Sequence, residues 1–464
     1  MPAHTNNTST PHLAERPNRQ KKNILVLYQG TSLPLRNTTE THLYCWKRYS
    51  QHQTIYFNTR FPLPEWLLRF LRVDAIVGDT LFADHWENEF LENFPKRYPY
   101  LTRLGCLKLI LPQDEFYNMK VLNTFIGAFG ITHLLTVSLP HDWPTLYPDV
   151  DPTRVHIETK LTGYLDDGVV SRVNALAKEM TNKATEPSRP IDIGYKVWKS
   201  EYWLGEHAMH KVWLAERVDP LARERQLTSD LETFSQYALY GDDWFRYLLS
   251  CRATIGVESG ASLLDWEGNI RKVVTAYVQA NPQASFQTVR DACFPGLDYN
   301  IRLFCVSPRH LECALTRTCQ ILLEGEYNGM LTPWVHYIPV QRDYSNLEAA
   351  IDFFLNQPEA VATIVENAYQ DLVATERYHY KTFVRHVETS ILEATRLDPA
   401  SPPKDHWQSP AWFQRILIQY FEYREHYTNW LWAFYQQYRN TTHKPLRLWR
   451  KLVYQLAKAP LGIL

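Results

Sequence analysis

The residues best suited to chemistry lie between Cys251 and Asn346, where two short apolar runs each break into a polar loop containing glycine. Ala253-Thr-Ile-Gly256-Val257 runs into Glu258-Ser259-Gly260-Ala-Ser262, and Gln320-Ile-Leu-Leu323 runs into Glu324-Gly-Glu326-Tyr-Asn328-Gly329. Small residues at such positions let backbone amides come close to an anion. Between the two loops, Ser307-Pro308 carries a helix-start signature, with Ser as the cap and Pro at the first helical position, and the free N–H groups of that helix would face an anion. Arg309 at its opening, with Lys196 and Lys199 after an upstream apolar run, offers the positive charge a diphosphate needs, although any one of the three is equally explained as a solvated side chain. Glu312 on the same helix offers two acceptor oxygens to a vicinal diol such as that of ribose. The expected donor-binding set is therefore Lys196, Lys199, Gly256, Glu258, Ser259, Gly260, Ser262, Ser307, Arg309, Glu312, Glu326, Asn328 and Gly329.

A second polar burst, Leu111-Pro-Gln-Asp114-Glu115-Phe116, follows an earlier apolar run. A carboxylate there could orient an acceptor hydroxyl or take its proton as a bond forms, and the competing explanation is a cap for the next helix. Asp114 and Glu115 are the catalytic candidates, with Gly30, Thr31 and His85 as weaker acceptor-side ones. These sites require strands to carry them. Asn23–Tyr28, Thr54–Phe57, Asp74–Val77, Leu107–Leu111, His133–Val137 and Val155–Ile157 read as strands, with helical patterns between them. Residues 184–190 are a linker by composition, and a second alternating half begins at Ile191. Strand–helix alternation predicts an α/β fold with two Rossmann-like domains facing a cleft, divided as a tail over 1–21, a first domain over 22–170, a linker over 171–190, a second domain over 191–398 and an extension over 399–464. Helical patterns at 359–373 and 378–394 are expected to close the second half.

Composition narrows the classes. At 45% hydrophobic and 21% charged residues the 464-residue chain is that of a folded protein with more than one core. With 49 basic against 50 acidic residues there is no global field to attract nucleic acid, so none is expected as a partner. Seven cysteines, without a C-x-x-C pair, suggest buried thiols in a reducing compartment. The N-terminal tail has no apolar signal core and no run is long enough to span a bilayer, so a cytoplasmic location is expected. The aromatic-rich stretch from Pro410, ending in a basic amphipathic segment over 440–464, reads either as a helical hairpin packed on the body or as a peripheral contact with the inner face of a membrane. No Walker lysine loop, H-E-x-x-H, G-x-S-x-G or Asp-x-Asp metal pair is present, and no obligatory metal or cofactor is expected.

The order Val257–Ser262, Leu311-Glu312-Cys-Ala314, Gln320–Gly329 and Tyr337–Ile351 resembles the retaining type-B (GT-B) glycosyltransferases, in particular the CgeB-like, family-4-like branch, over residues 22–395. That resemblance implies transfer of a sugar from a UDP- or GDP-sugar to a glycan, lipid-linked or small-molecule acceptor with retention, in which case the leaving phosphate can itself accept the proton. One departure stands out. The family carries its two acidic residues in a continuous Glu-x7-Glu stretch, whereas here Asp265–Phe304 separates Glu258 from Glu312 and reads as an insertion over 265–304 with its own helix near 270–280. The alternatives are a non-catalytic glycan-binding or scaffold protein with a degenerate donor site, and a Rossmann oxidoreductase or epimerase, which the Gln29-Gly-Thr-Ser32 loop disfavours for want of G-x-G-x-x-G spacing.

Overall fold

The computed structural model of the chain describes residues 21–30, 35, 37–84, 89–183, 189–233, 239–393, 407 and 409–442. Six strands form a first sheet: β1 (Asn23–Tyr28), β2 (Gln53–Asn58), β3 (Ala75–Gly78), β4 (Leu107–Ile110), β5 (His133–Thr136) and β6 (His156–Thr159). Their order is β2-β1-β3-β4-β5-β6, and every pairing is parallel. Because both faces of such a sheet are covered, its strands are continuous apolar runs, and β1 shows how one strand serves two cores. Leu25 and Leu27 face one, while Ile24, Val26 and Tyr28 face the other beside Leu43 and Trp46 of helix α1 (Asn37–Tyr49). Helix α2 (Met119–Phe129) packs on the first face, and the long helix α3 (Asp167–Lys183) leads out of the domain.

The second half contains β7 (Ile191–Lys196), β8 (Ser229–Glu232), β9 (Cys251–Gly256), the short β10 (Ser259–Ala261) and β11 (Leu303–Cys305), β12 (Cys319–Leu323) and β13 (Ile338–Val340). Five of these make a parallel sheet in the order β13-β12-β9-β7-β8, and β10 pairs antiparallel with β11 outside it. The chain is thus an α/β protein of two parallel-sheet domains. In both sheets the connections reverse direction beside the first strand, between β1 and β3 and between β7 and β9. Such a switch point opens a crevice at the carboxyl ends of the strands.

Two segments depart from expectation. Helix α8 (Tyr380–His386), expected to close the second half, crosses back to the first: Tyr380, Phe383 and Val384 pack with Leu43 and Trp46, and the following Glu388 accepts from the Gln51 amide at 3.1 Å. The 265–304 insertion holds two helices, α5 (Asn269–Ala280) and α6 (Phe286–Cys293), instead of one. Helix α9 (Ala411–Thr442) runs along the edge strand β2 of the first domain, whereas 443–464 lies outside the described residues.

Candidate active site between the two sheets

A cleft of about 830 Å³ lies where the carboxyl ends of the two sheets meet, within the roughly 300–1,000 Å³ usual for small-molecule sites. Its second-domain wall is made by the ends of β7 and β9, by the opening of helix α7 (Pro308–Leu315) and by helix α4 (Glu206–Glu224). Its first-domain wall is the start of α1, Asp84 after β3, and Asp114 after β4. Placing the sequence candidates against these walls sorts them.

Glu312, Arg309, Ser307, Gly256, Ser259, Lys199 and Asp114 all line the cleft. The Trp244 indole N–H donates to Glu312 Oε2 at 2.9 Å, which fixes the carboxylate at the wall, and burial raises its pKa against the opposing effects of that bond and of Arg309. Arg309 is aimed by its own contacts, since it donates to the Lys196 carbonyl at 2.5 Å and lies over Tyr195 and Trp244 at 5.3 and 5.4 Å from the ring centroids. Asp114 is open to the solvent of the cleft yet ringed by protein atoms; that desolvation raises its pKa, with Lys211 and Lys160 opposing.

Other candidates are brought elsewhere. Lys196 borders the cleft, but its ammonium is paired with Asp230 at 3.0 Å and Glu232 at 3.1 Å on the neighbouring strand β8. Glu258 turns its buried carboxylate onto the loop after β12, where Oε1 accepts from the Tyr327 amide at 2.6 Å, and burial pushes it up to about 7. Gly260 serves the β10–β11 pair: at φ +110° a Cβ would run into the Leu303 carbonyl. Ser262 is wholly buried, accepting from the His207 amide at 3.1 Å and donating to Asp298 at 2.7 Å. Asn328 accepts from the Val306 amide at 2.7 Å, and Glu326 and Gly329 are exposed on that same loop, away from the described cleft wall. Glu115, adjacent to Asp114, points the opposite way and is buried in the first domain, held by Thr136, Tyr147 and the Val137 amide. Gly30 is buried near Asn58 instead of lining the described cleft wall, and Thr31 and His85 lie outside the described residues.

Three cleft residues carry no sequence signal. Lys211 lies on α4, one to two turns from its start, and desolvation lowers its pKa while Asp114 pulls the other way. Asp84 accepts from the Gln113 amide at 3.1 Å and is pushed well above the usual carboxylate range by burial and then by Asp114. Arg271 of the insertion lies 4.9 Å from the Tyr117 ring centroid and 5.2 Å from that of Trp203. The cleft thus sets the carboxylates of Asp84 and Asp114 across from a cationic wall of Lys211 and Arg309. No group of His, Cys, Asp and Glu able to hold a metal ion occurs among the described residues.

The insertion also joins the walls. Asp265 donates to the Phe116 carbonyl at 2.8 Å and its carbonyl accepts from the Asn118 amide at 2.7 Å, Lys120 donates to the Trp266 carbonyl at 3.1 Å, and Lys120 pairs with Glu267 at 2.8 Å. The segment that separates Glu258 from Glu312 is therefore anchored to the loop that follows Asp114.

No family model and no curated protein matches the chain. Solved structures similar to it include HepE from Anabaena in complex with UDP-glucose, at 10% identity and TM-score 0.43 over 80% of this chain and 99% of that one. A glycosyltransferase from Rickettsia africae is similar at 10% identity and TM-score 0.44 over 81% and 100%. The N-terminal domain of Candida albicans trehalose-6-phosphate phosphatase is similar at 11% identity and TM-score 0.45 over 82% and 98%. At these scores the likenesses carry no argument about the chemistry, which rests on the geometry of the cleft.

Proposed function

We propose that this chain is a glycosyltransferase that moves a sugar from a nucleoside-diphosphate donor to a hydroxyl of a glycan, lipid-linked or small-molecule acceptor. The observation that carries the proposal is the division of one cleft into a second-domain wall that carries Lys211, Arg309 and the anchored Glu312, and a first-domain wall that carries Asp84 and Asp114. The donor lies on the second domain. Glu312, fixed by Trp244, accepts from the ribose hydroxyls, while Lys211 and Arg309 face the diphosphate and stabilise the charge that grows on it as the glycosidic bond breaks. The acceptor lies against the first domain, where Asp114, its pKa raised by desolvation, orients the hydroxyl, and Asp84 beside it is pushed well above the usual carboxylate range by burial and then by Asp114. Transfer with retention, as in the CgeB-like branch, is the finer part of the proposal: the leaving phosphate takes the acceptor proton, and Asp114 positions without being the obligatory base.

Asp114→Asn tests the division of labour. Transfer from the accepted nucleotide sugar falls by about 10²-fold through the misplaced acceptor, while the affinity for the nucleoside diphosphate stays the same. An equal loss of both would place Asp114 on the donor side and contradict the assignment. The anomeric configuration of the product, read by NMR, decides retention. A purified protein that binds the nucleotide sugar but neither transfers nor hydrolyses it would favour a binding protein instead.

A further inference from the structure

Helix α9 has two contrasting faces. On the inner one Leu417, Phe421 and Leu431 are buried, the Asn429 amide donates to Tyr28 Oη at 3.1 Å, and the Arg60 guanidinium lies 4.4 Å from the centroid of Trp432. On the outer one Trp412 is 63% exposed, Ile416 37%, Tyr423 61%, Trp430 62% and Phe434 43%, positions that recur at helical spacing and so form one stripe. Rings 423, 427, 430 and 434 stack on one another in sequence at 6.1, 6.4 and 6.1 Å with interplanar angles of 7, 24 and 22°, a continuous aromatic row along the helix. From Trp412 to Phe434 such a stripe runs about 33 Å. A helix seated on a protein body for stability alone turns its large apolar groups inward, and an outward row of this size marks a binding surface.

Charge identifies the occupant. None of the exposed positions between Ala411 and Phe434 is acidic, and Arg415 and His426 are among them. The sequence then continues through Lys444, Arg447, Arg450, Lys451 and Lys458 with no Asp or Glu from 443 to the last residue. Tryptophan and tyrosine, each an apolar body with a polar tip, settle at the headgroup level of a bilayer, and clustered Lys and Arg are drawn to anionic lipid. We propose that the outer face of α9 is a docking surface for an anionic lipid bilayer, on which the helix lies lengthwise with Trp412, Tyr423 and Trp430 at the headgroups and the basic segment beyond it held by the surface charge. Among the described residues no helix is long and apolar enough to cross a membrane, and this mode needs none.

Co-sedimentation of the full chain with phosphatidylcholine vesicles, with and without phosphatidylglycerol, tests this. The wild type is expected to pellet with the anionic vesicles, to be released by high salt and to stay in solution with phosphatidylcholine alone. Tyr423→Ser with Trp430→Ser lowers the partition by about tenfold, and Arg450→Gln with Lys451→Gln lowers it by roughly fivefold per charge. Thermal melting shows both variants folded. Equal partition of wild type and either variant would overturn the proposal. So would pelleting without lipid that the aromatic variant abolishes, because the row would then be an interface between copies of the chain.

Discussion

Glu115 is held by Thr136, Tyr147 and the Val137 amide with no solvent contact, and burial pushes its carboxyl up to about 8 from an unfolded value of 4.5. A group that keeps its proton when folded and loses it when unfolded stabilises the fold fully below the unfolded pKa, and that stability drains away as pH rises through the folded one. Wild-type stability is therefore expected to fall between about pH 4.5 and pH 8. Glu115→Gln, which mimics the protonated acid, removes this part of the slope and stabilises the protein at about pH 9 by on the order of 2 kcal/mol relative to about pH 5. Parallel denaturant titrations of the two proteins across that range check it, and identical pH profiles would contradict it. At this scale the sequence was informative only in part. A carboxylate directly after a strand is visible as a site, but which of two adjacent ones turns to the cleft depends on the turn at 114–117. Lys211 was invisible because it stands in an ordinary helical run, with no glycine or turn residue to mark it.

At the scale of elements, the site depends on how α4 begins. Gly205 caps it at φ +83°, where a Cβ would collide with Ser262 Oγ, and the helix's first amides are taken by side chains: Glu206 N donates to Asp298 at 3.0 Å and His207 N to Ser262. Asp298 belongs to the insertion, so a segment remote from Lys211 in sequence anchors the helix that presents it. Asp298→Ala is expected to cost about 1 kcal/mol of stability as a lost cap, and to weaken nucleoside-diphosphate binding severalfold through the loosened helix start. Unchanged affinity at reduced stability would uncouple the cap from the site. Strands buried on both faces, such as β1, β4 and β12, are legible as apolar runs, and the Ser-Pro start of α7 is legible as a cap. The edge strand β8, Ser-Asp-Leu-Glu, and the three-residue pair β10 and β11 are not, because they are short and make their pairings with partners far along the chain.

For the whole molecule, the two domains share more than a hinge. The insertion bonds to the 116–120 loop, and α8 returns to pack on α1, so both sides of the cleft are tied across. Rigid ties of this kind predict a fixed aperture: a saturating nucleoside diphosphate changes the radius of gyration in small-angle scattering by less than about 1 Å, and a contraction of several ångströms would contradict it. The alternation of strands and helices made the two sheets legible, whereas the ties were not, since a backbone pairing such as Tyr117 with Asp265 leaves no pattern in either segment. Whether the cleft they hold open is a donor site is decided most directly by calorimetric titration of UDP, GDP and their sugars into the wild type, Glu312→Ala and Lys211→Ala. At least one nucleoside diphosphate is expected to bind the wild type, with affinity reduced by about tenfold or more in each variant. Binding of none of them, or equal binding by all three proteins, would contradict the account.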